Sequence, residues 1–404
     1  INLLRMKKKI QYLNWKRNFI TKKVKYLIYI KFLSFIVFFL RKRKKIINDN
    51  KIKKVLVIRN DFIGDMIVTT PFLRYLSNAG YEVYVSSRKN SLDILDGNPN
   101  IAGCFLYHDK KLIDLIKSLK IIRTHKFDLA IDARFHRRLD LKHLFYCCLI
   151  KTEILLSYNK SSIRSFNVSL PYYRANAHVT NQLKYYLDNL NIKYHLFDYD
   201  IYINPSKNKY VTEFINRYIG SSKLIVINPY GSSEYRCLSD SQLQGICNLF
   251  KSYYHDYKTV LIGEGDNFEK LLLPNTIKFN SKTIMDVIPL IKRAELVLSV
   301  DTSIVHIASA FSTKCISIYM EPLAQDAKNL KSIYSRQFSD YKYLKQDLFL
   351  DGKYIKKNNP NLDFQINKDL WAPNDVNGKQ IVFITNSIKS IETKKLIESI
   401  KEYI

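Results

Sequence analysis

Cysteine, glycine and proline are all scarce in this 404-residue chain, at six, eleven and ten residues. The cysteines (Cys104, Cys147, Cys148, Cys237, Cys247 and Cys315) form no CxxC pair and no bridge framework. They read as reduced, mostly buried thiols of a cytosolic protein and argue against a structural zinc site. So little glycine and proline excludes collagen-like and proline-rich repeats. Acidic residues are nearly missing from the first 59 positions, where Asp49 stands alone against 19 Lys and Arg. That stretch carries +18 of a net +29, so more than half of the excess charge lies in an N-terminal appendage. Such a block can bind nucleic acid or an anionic membrane surface. The rest of the chain lacks a concentrated Lys/Arg stripe with interleaved aromatics, which disfavours nucleic acid. What is present is ordinary: 47% hydrophobic and 25% charged residues are globular values and exclude disorder as the main class. The length allows two or three domains.

Residues 24–40, VKYLIYIKFLSFIVFFL, are apolar on every face except Lys25, Lys31 and Ser34. Basic clusters flank them, Lys22-Lys23 before and Arg41 to Lys45 after. The run is short for a span and carries a central lysine, and no small-residue cleavage site follows it. The pattern suits a helix in the membrane interface with its cations on anionic headgroups. The competing reading is a helix that docks on the protein's own body. Residue 1 is Ile, and Met6 is the first conventional start. Asn48 to Asn50 read as a linker, so residues 1–50 are expected as the appendage.

From residue 53 short β-rich runs alternate with helical stretches. KVLVIR (54–59), YEVYVSS (81–87), DLAID (128–132) and EILLSY (153–158) read as strands, with helices over about 64–78, 110–125 and 138–150. A second series follows: strands LIVINPY (224–230), TVLIGEG (259–265), ELVLSV (295–300) and CISIYM (315–320), with helices over 239–255, 284–293 and 303–311. The segment 160–220, with one helix at 178–190, is expected to link the halves. The periodicity fades after 321. A final helix over 390–403 is expected to cross back onto the first half. The expectation is α/β, two doubly wound halves (51–205 and 206–404) with a ligand cleft at the carboxyl ends of their strands.

Three strand ends carry chemistry. In the first, Asn60-Asp61-Phe62-Ile63-Gly64-Asp65 opens a helix; Gly64 would allow a tight turn and Asp65 could take a proton from a hydroxyl. Alternatively Asp61 and Asp65 are only cap and first-turn acids. In the second, Gly231, Ser232 and Ser233 with Arg236 could hold phosphate oxygens, although the spacing is not that of a P-loop. In the third, Asp301 could cap the helix that begins at Thr302 and Ser303, with their N–H groups aimed at an anion; His306 faces the same side or is a core histidine.

Taken together these segments resemble glycosyltransferase family 9, the ADP-heptose:lipopolysaccharide heptosyltransferases. The resemblance rests on VIRNDFIGDMIVTTPFLRYLS (57–77), GNPNIA (97–102), NPYGSSEYRCL (228–238) and ELVLSVDTSIVHIASAF (295–311). It runs from about residue 53 to the end, with 321–370 matched poorly. It implies a GT-B fold of two Rossmann-like domains, with the nucleotide-sugar held mainly by the C-terminal one. Asp65 would be the catalytic base. Gly231, Ser232, Ser233, Arg236, Glu264, Asp301, Thr302, Ser303 and His306 would bind the donor. Arg134 and Arg138, with His136 and Arg137 after the strand DLAID, would meet the anionic acceptor; for Arg137 and Arg138 a solvated helix start is the alternative. His178 opens a helix where the family often has His.

The resemblance further implies inversion at the anomeric carbon and no protein-bound metal or cofactor, which fits the absence of a DxD dyad beside a strand end. The chain departs from the pattern at Arg236, usually Lys; at Cys237-Leu238, usually Trp-Pro; and at Ser303, usually Gly. The expected function is transfer of heptose from ADP-heptose to a lipopolysaccharide or lipooligosaccharide core, by an enzyme peripheral on the inner face of the cytoplasmic membrane. A GT-B transferase with another nucleotide-sugar, or a noncatalytic basic protein of membrane surfaces or nucleic acid, are the alternatives.

Overall fold

The structure is a computed structural model. It describes residues 52–321 except 135–139, 159, 161–162, 164, 172–177, 266–267, 269–270, 272 and 274–275, residues 371–404 except 386, and positions 24, 28, 31, 32 and 35. The N-terminal appendage otherwise lies outside the described residues. Within it Val24, Ile28, Lys31, Phe32 and Phe35 are helical and exposed. Among the described residues no helix is long and apolar enough to cross a membrane.

Twelve strands form two sheets. The first holds β1 (Lys54–Ile58), β2 (Glu82–Ser87), β3 (Gly103–Leu106), β4 (Phe127–Asp132), β5 (Thr152–Tyr158) and β6 (Val168–Leu170), in the order β3-β2-β1-β4-β5-β6. The second holds β7 (Lys223–Asn228), β8 (Tyr257–Gly263), β9 (Ile277–Asn280), β10 (Leu296–Val300), β11 (Cys315–Glu321) and β12 (Gly378–Ile384), in the order β12-β11-β10-β7-β8-β9. Counted from the first strand of each half, the two orders are the same. Each reverses direction between its first and fourth strands, β1 beside β4 and β7 beside β10. The paired strands are parallel, with Val55 opposite Leu129 and Ile225 opposite Leu296. Strands covered on both faces must be apolar throughout, and Val55 to Ile58, Leu224 to Ile227 and Leu296 to Leu298 are all buried.

The helices are α1 (Ile63–Asn78), the short α2 (Lys89–Leu92), α3 (Leu112–Ile122), α4 (Leu141–Leu149), α5 (Thr180–Asn189), α6 (Pro205–Tyr218), α7 (Asp240–Tyr253), α8 (Ile284–Lys292), α9 (Ser303–Ala310) and α10 (Thr393–Lys401). By contacts the chain divides into two compact units, residues 1–60 with 107–173 and 334–360, and residues 61–106 with 174–333 and 361–404. The first contains β1, β4, β5, β6, α3 and α4. The second contains the rest of the described elements from α1 onward, including the whole second sheet.

Two expectations change. The segment 160–220 is more than a link, because it contains α6, begun by Pro205 and capped by Asn204, whose side chain accepts from the Ser206 amide at 3.0 Å. The final helix, expected to cross back, packs on α7 of its own half. Leu396 and Ile400 are buried with Leu243, Ile246 and Phe250 of α7, and Gln242 donates to the carbonyls of Ile388 and Ile391 at 2.8 and 2.7 Å.

Candidate functional site

In a doubly wound sheet the crevice for a ligand opens at the carboxyl ends of the strands where the order reverses. In the second sheet those ends are Asn228 on β7 and Val300 on β10, and the Gly-Ser loop and the Asp-Thr-Ser turn follow them directly. Asn228 ties the two together, its Nδ2 donating to Ser299 Oγ and Thr302 Oγ1 at 2.9 Å each.

Thr302, rather than Asp301, caps α9: its Oγ1 accepts from the Ile304 amide at 3.3 Å. Asp301 is thereby left to pair with Arg236, whose Nη1 lies 3.2 Å from its Oδ2. Burial raises the Asp301 pKa, and the Arg236 charge works against that rise. Arg236 reaches this place because the loop 229–238 doubles back, closed by the Leu238 amide on the Pro229 carbonyl at 2.9 Å. A Cβ on Gly231 would sit 2.5 Å from Arg236 Cβ and 2.8 Å from its carbonyl oxygen, so only glycine permits the fold-back. Ser232 is exposed, whereas Ser233 Oγ and Arg236 Nε are buried without a hydrogen-bond partner. Glu264 is exposed and follows the end of β8, the strand beside β7.

Asp65 lies in the first turn of α1, half-buried, and its Oδ2 accepts from the Phe62 amide at 3.2 Å. Gly64 is already helical, and what it supplies is proximity rather than a turn. A Cβ there would meet His306 Cδ2 at 3.1 Å and Ser303 Cα at 3.8 Å. The bare backbone thus lets the start of α1 lie against the start of α9. Asp65, Ser303 and His306 are therefore brought together within the second compact unit.

His306 is 4% exposed, its ring edge-on to Tyr199 and Trp371 with centroids 5.9 Å away in both cases. Burial lowers its pKa to about 3, with His178 adding to the shift, so the ring is neutral at ordinary pH. Its Nδ1 has no partner. His178, which sequence alone left without a role, donates from Nε2 to the Ala372 carbonyl at 3.1 Å, and burial lowers its pKa to about 4.

The acceptor candidates fare differently. Arg134 is buried and committed to Asp140, Nη1 to Oδ2 at 2.8 Å, and Asp140 caps α4 through the His143 amide. Arg138, with His136 and Arg137, lies outside the described residues. Behind Arg134 is a buried network that the sequence reading missed. Asp132, the last residue of β4, accepts from His143 Nε2 at 2.9 Å and from Ser157 at 3.0 Å, with the Lys160 ammonium also 3.0 Å away. Burial would raise the Asp132 pKa, but Lys160 and His143 outweigh it and the carboxylate is held well below its usual range. The signal available was a carboxylate directly after the buried apolar run Leu129 to Ile131. Among the described residues Asp132, His143 and Cys147 also form the one grouping of metal-ligand types, with donor atoms within 4.8 Å of one another. The lysine already neutralises the carboxylate, so the group reads as a salt-bridged core rather than a metal centre.

The family model for glycosyltransferase family 9 (heptosyltransferase) matches residues 278–335, which include β10, α9 and the Asp-Thr-Ser turn. A curated protein of Escherichia coli (strain K12), provisionally named lipopolysaccharide heptosyltransferase 4, is 23% identical over 399 residues, 96% of each chain. The crystal structure of a family 9 glycosyl transferase from Veillonella parvula superposes with a TM-score of 0.66 at 14% identity, covering 87% of this chain and 97% of that one. The E. coli ADP-heptose lps heptosyltransferase II superposes with a TM-score of 0.60 at 12% identity, covering 87% and 98%. At these identities the structures establish the fold, which is of the GT-B type.

Proposed function

We propose that this chain, a glycosyltransferase of the family 9 type, transfers heptose from ADP-heptose to a lipopolysaccharide or lipooligosaccharide core acceptor, with inversion. The observation that carries this reading is the pair of buried, partnerless donors, Ser233 Oγ and Arg236 Nε, beside the start of α9, with Asp65 close by across Gly64. A diphosphate would satisfy both donors and accept from the helix N-terminus, where the backbone dipole favours negative charge.

In this mechanism the Asp65 carboxylate takes the proton of an acceptor hydroxyl as its oxygen attacks the anomeric carbon. The bond from that carbon to the diphosphate oxygen breaks, and ADP leaves with the bonding electrons. Arg236 and the amides that begin α9 stabilise the charge that develops on the leaving group. No protein-bound cofactor is needed. A neutral His306, wedged between Tyr199 and Trp371, holds α9 in place without adding a second charge. The basic segment 1–50 would keep the enzyme on the anionic inner face of the cytoplasmic membrane, where the lipid-borne acceptor lies.

The test is a donor screen. Purified protein is offered ADP-, UDP- and GDP-linked sugars with a truncated core acceptor, and both nucleotide release and the acceptor's mass are followed. Heptose addition with ADP release is the expected result; release of another nucleotide would move the reading to a different donor.

A further inference from the structure

In the first compact unit, α3 exposes an apolar surface that nothing in the chain covers among the described residues. Its inner side is buried through Leu115, Ser118, Leu119 and Ile122. Its outer side leaves Leu112 57%, Ile113 60%, Ile116 40% and Ile121 60% exposed. At 100° per residue Leu112, Ile116 and Ile113 share one arc, with Lys117 and Lys120 interleaved among them. Lys110 and Lys111 lead into the helix, and all four lysines are exposed. The two acids of this stretch are half-buried: Asp109 precedes the helix, and Asp114 lies 4.0 Å from His108. From the neighbouring α4, Lys142 reaches the carbonyl of Asp109 at 2.5 Å and brings a further cation to the start of α3.

We infer that this outer face of α3 is a membrane-docking surface that sits in the headgroup layer of an anionic phospholipid bilayer. The charge pattern selects that occupant. Exposed aliphatics set among lysines, with no exposed acid on the face, match a layer that is apolar at depth and negative at its surface. The lysines can lie along the helix while their ammonium groups reach outward to phosphates. A second copy is a poor fit, since a twofold contact would set the lysine-bearing face against itself. The inference requires neither the N-terminal segment nor the transfer reaction. It places a second contact on the folded body, separate from the appendage.

The test uses the full chain with Trp15→Phe, so that Trp371 is the one native tryptophan. Ile113→Trp reports on α3, and Val376→Trp, at an exposed site in the other unit, is the control. Vesicles of phosphatidylglycerol with brominated acyl chains should quench and blue-shift the tryptophan at 113 and leave the one at 376 unaffected; phosphatidylcholine vesicles should do neither. The double variant Ile113→Gln/Ile116→Gln should partition about tenfold or more less well into the anionic vesicles, with its melting temperature unchanged. Lys117→Gln/Lys120→Gln should reduce the part of binding that salt screens, by the share these two lysines add to that of the appendage. No quenching at 113, or equal quenching at 376, overturns the inference. So does a concentration-dependent dimer that Ile113→Gln/Ile116→Gln abolishes while vesicle binding is unchanged, because the face would then belong to a second copy.

Discussion

Asp65 and Asp301 are both half-buried at the start of a helix, yet they have different partners. Asp65 accepts the Phe62 backbone amide, whereas Asp301 faces the Arg236 guanidinium. Asparagine at 65 can still accept from Phe62 but cannot take a proton. Asp65→Asn should therefore keep the fold and ADP binding and lose about 10²–10⁴-fold in kcat, the range of general-base catalysis. Steady-state kinetics beside ADP calorimetry would check this; retention of a tenth of the activity would reduce Asp65 to a first-turn acid. Arg236→Ala removes a charge-assisted contact to phosphate and should weaken ADP by about tenfold or more, at ~1.5–3 kcal/mol for such a bond. Unchanged ADP affinity would take the loop out of the site. At this scale the sequence was informative about which residues gather and less so about what each one does. Asp301 and Thr302 are both good caps by type, and Asn228, by bonding Thr302 Oγ1, decides between them. Arg134 looked like an acceptor ligand because its partner Asp140 is six residues away, across a stretch where no periodicity announces the contact.

The packing of α1 on α9 joins the candidate base to the donor loop, and it rests on Gly64. The His306 ring that a new Cβ would strike at 3.1 Å is held between Tyr199 and Trp371 and has little room to give. Gly64→Ala should therefore cost about 1–3 kcal/mol of stability through overpacking, and activity should fall with it, as read by urea unfolding and kcat. A variant of wild-type stability and rate would show that the helices slide apart freely. Most elements were legible because a parallel strand buried on both faces is a plain apolar run, and β1, β4, β7 and β10 are of that kind. Those missed are short or half-exposed. β3 has four residues with three of them partly or fully exposed, β6 has three, and β9 has four. α6 buries Val211 alone, so its apolar stripe is faint, although Asn204-Pro205 was a readable start signal. The direction of α10 depended on contacts with Gln242 some 150 residues earlier in the chain, which no local pattern encodes.

For the molecule as a whole, two buried neutral histidines tie stability to pH. Burial lowers His178 to about 4 and His306 to about 3, from 6.5 in the unfolded chain. Above pH 6.5 both are neutral in either state and add no pH dependence. Below that the unfolded chain binds two protons that the native protein refuses, so stability falls as pH falls. The loss runs from pH 6.5 down to about 4 for His178 and about 3 for His306. Each site contributes a slope of up to ~1.4 kcal/mol per pH unit. His143 is also lowered, by burial that its Asp132 partner only partly offsets, and acts in the same direction. The depressed carboxylates Asp132, Asp140 and Asp286 add their loss only below the ordinary carboxylate value of 3.8, while Asp200 and Asp301, both raised by burial, act in the opposite direction above it, so the histidine share is isolated by substitution. Urea midpoints measured between pH 7 and pH 4.5 should therefore drop steeply. His178→Gln, which keeps a donor for the Ala372 carbonyl, and His306→Gln should each flatten that slope by about one proton, whatever they do to stability at neutral pH. A slope that both variants leave untouched would mean that the two rings take up protons in the folded state, and that the core around α9 opens to water far more readily than its packing implies.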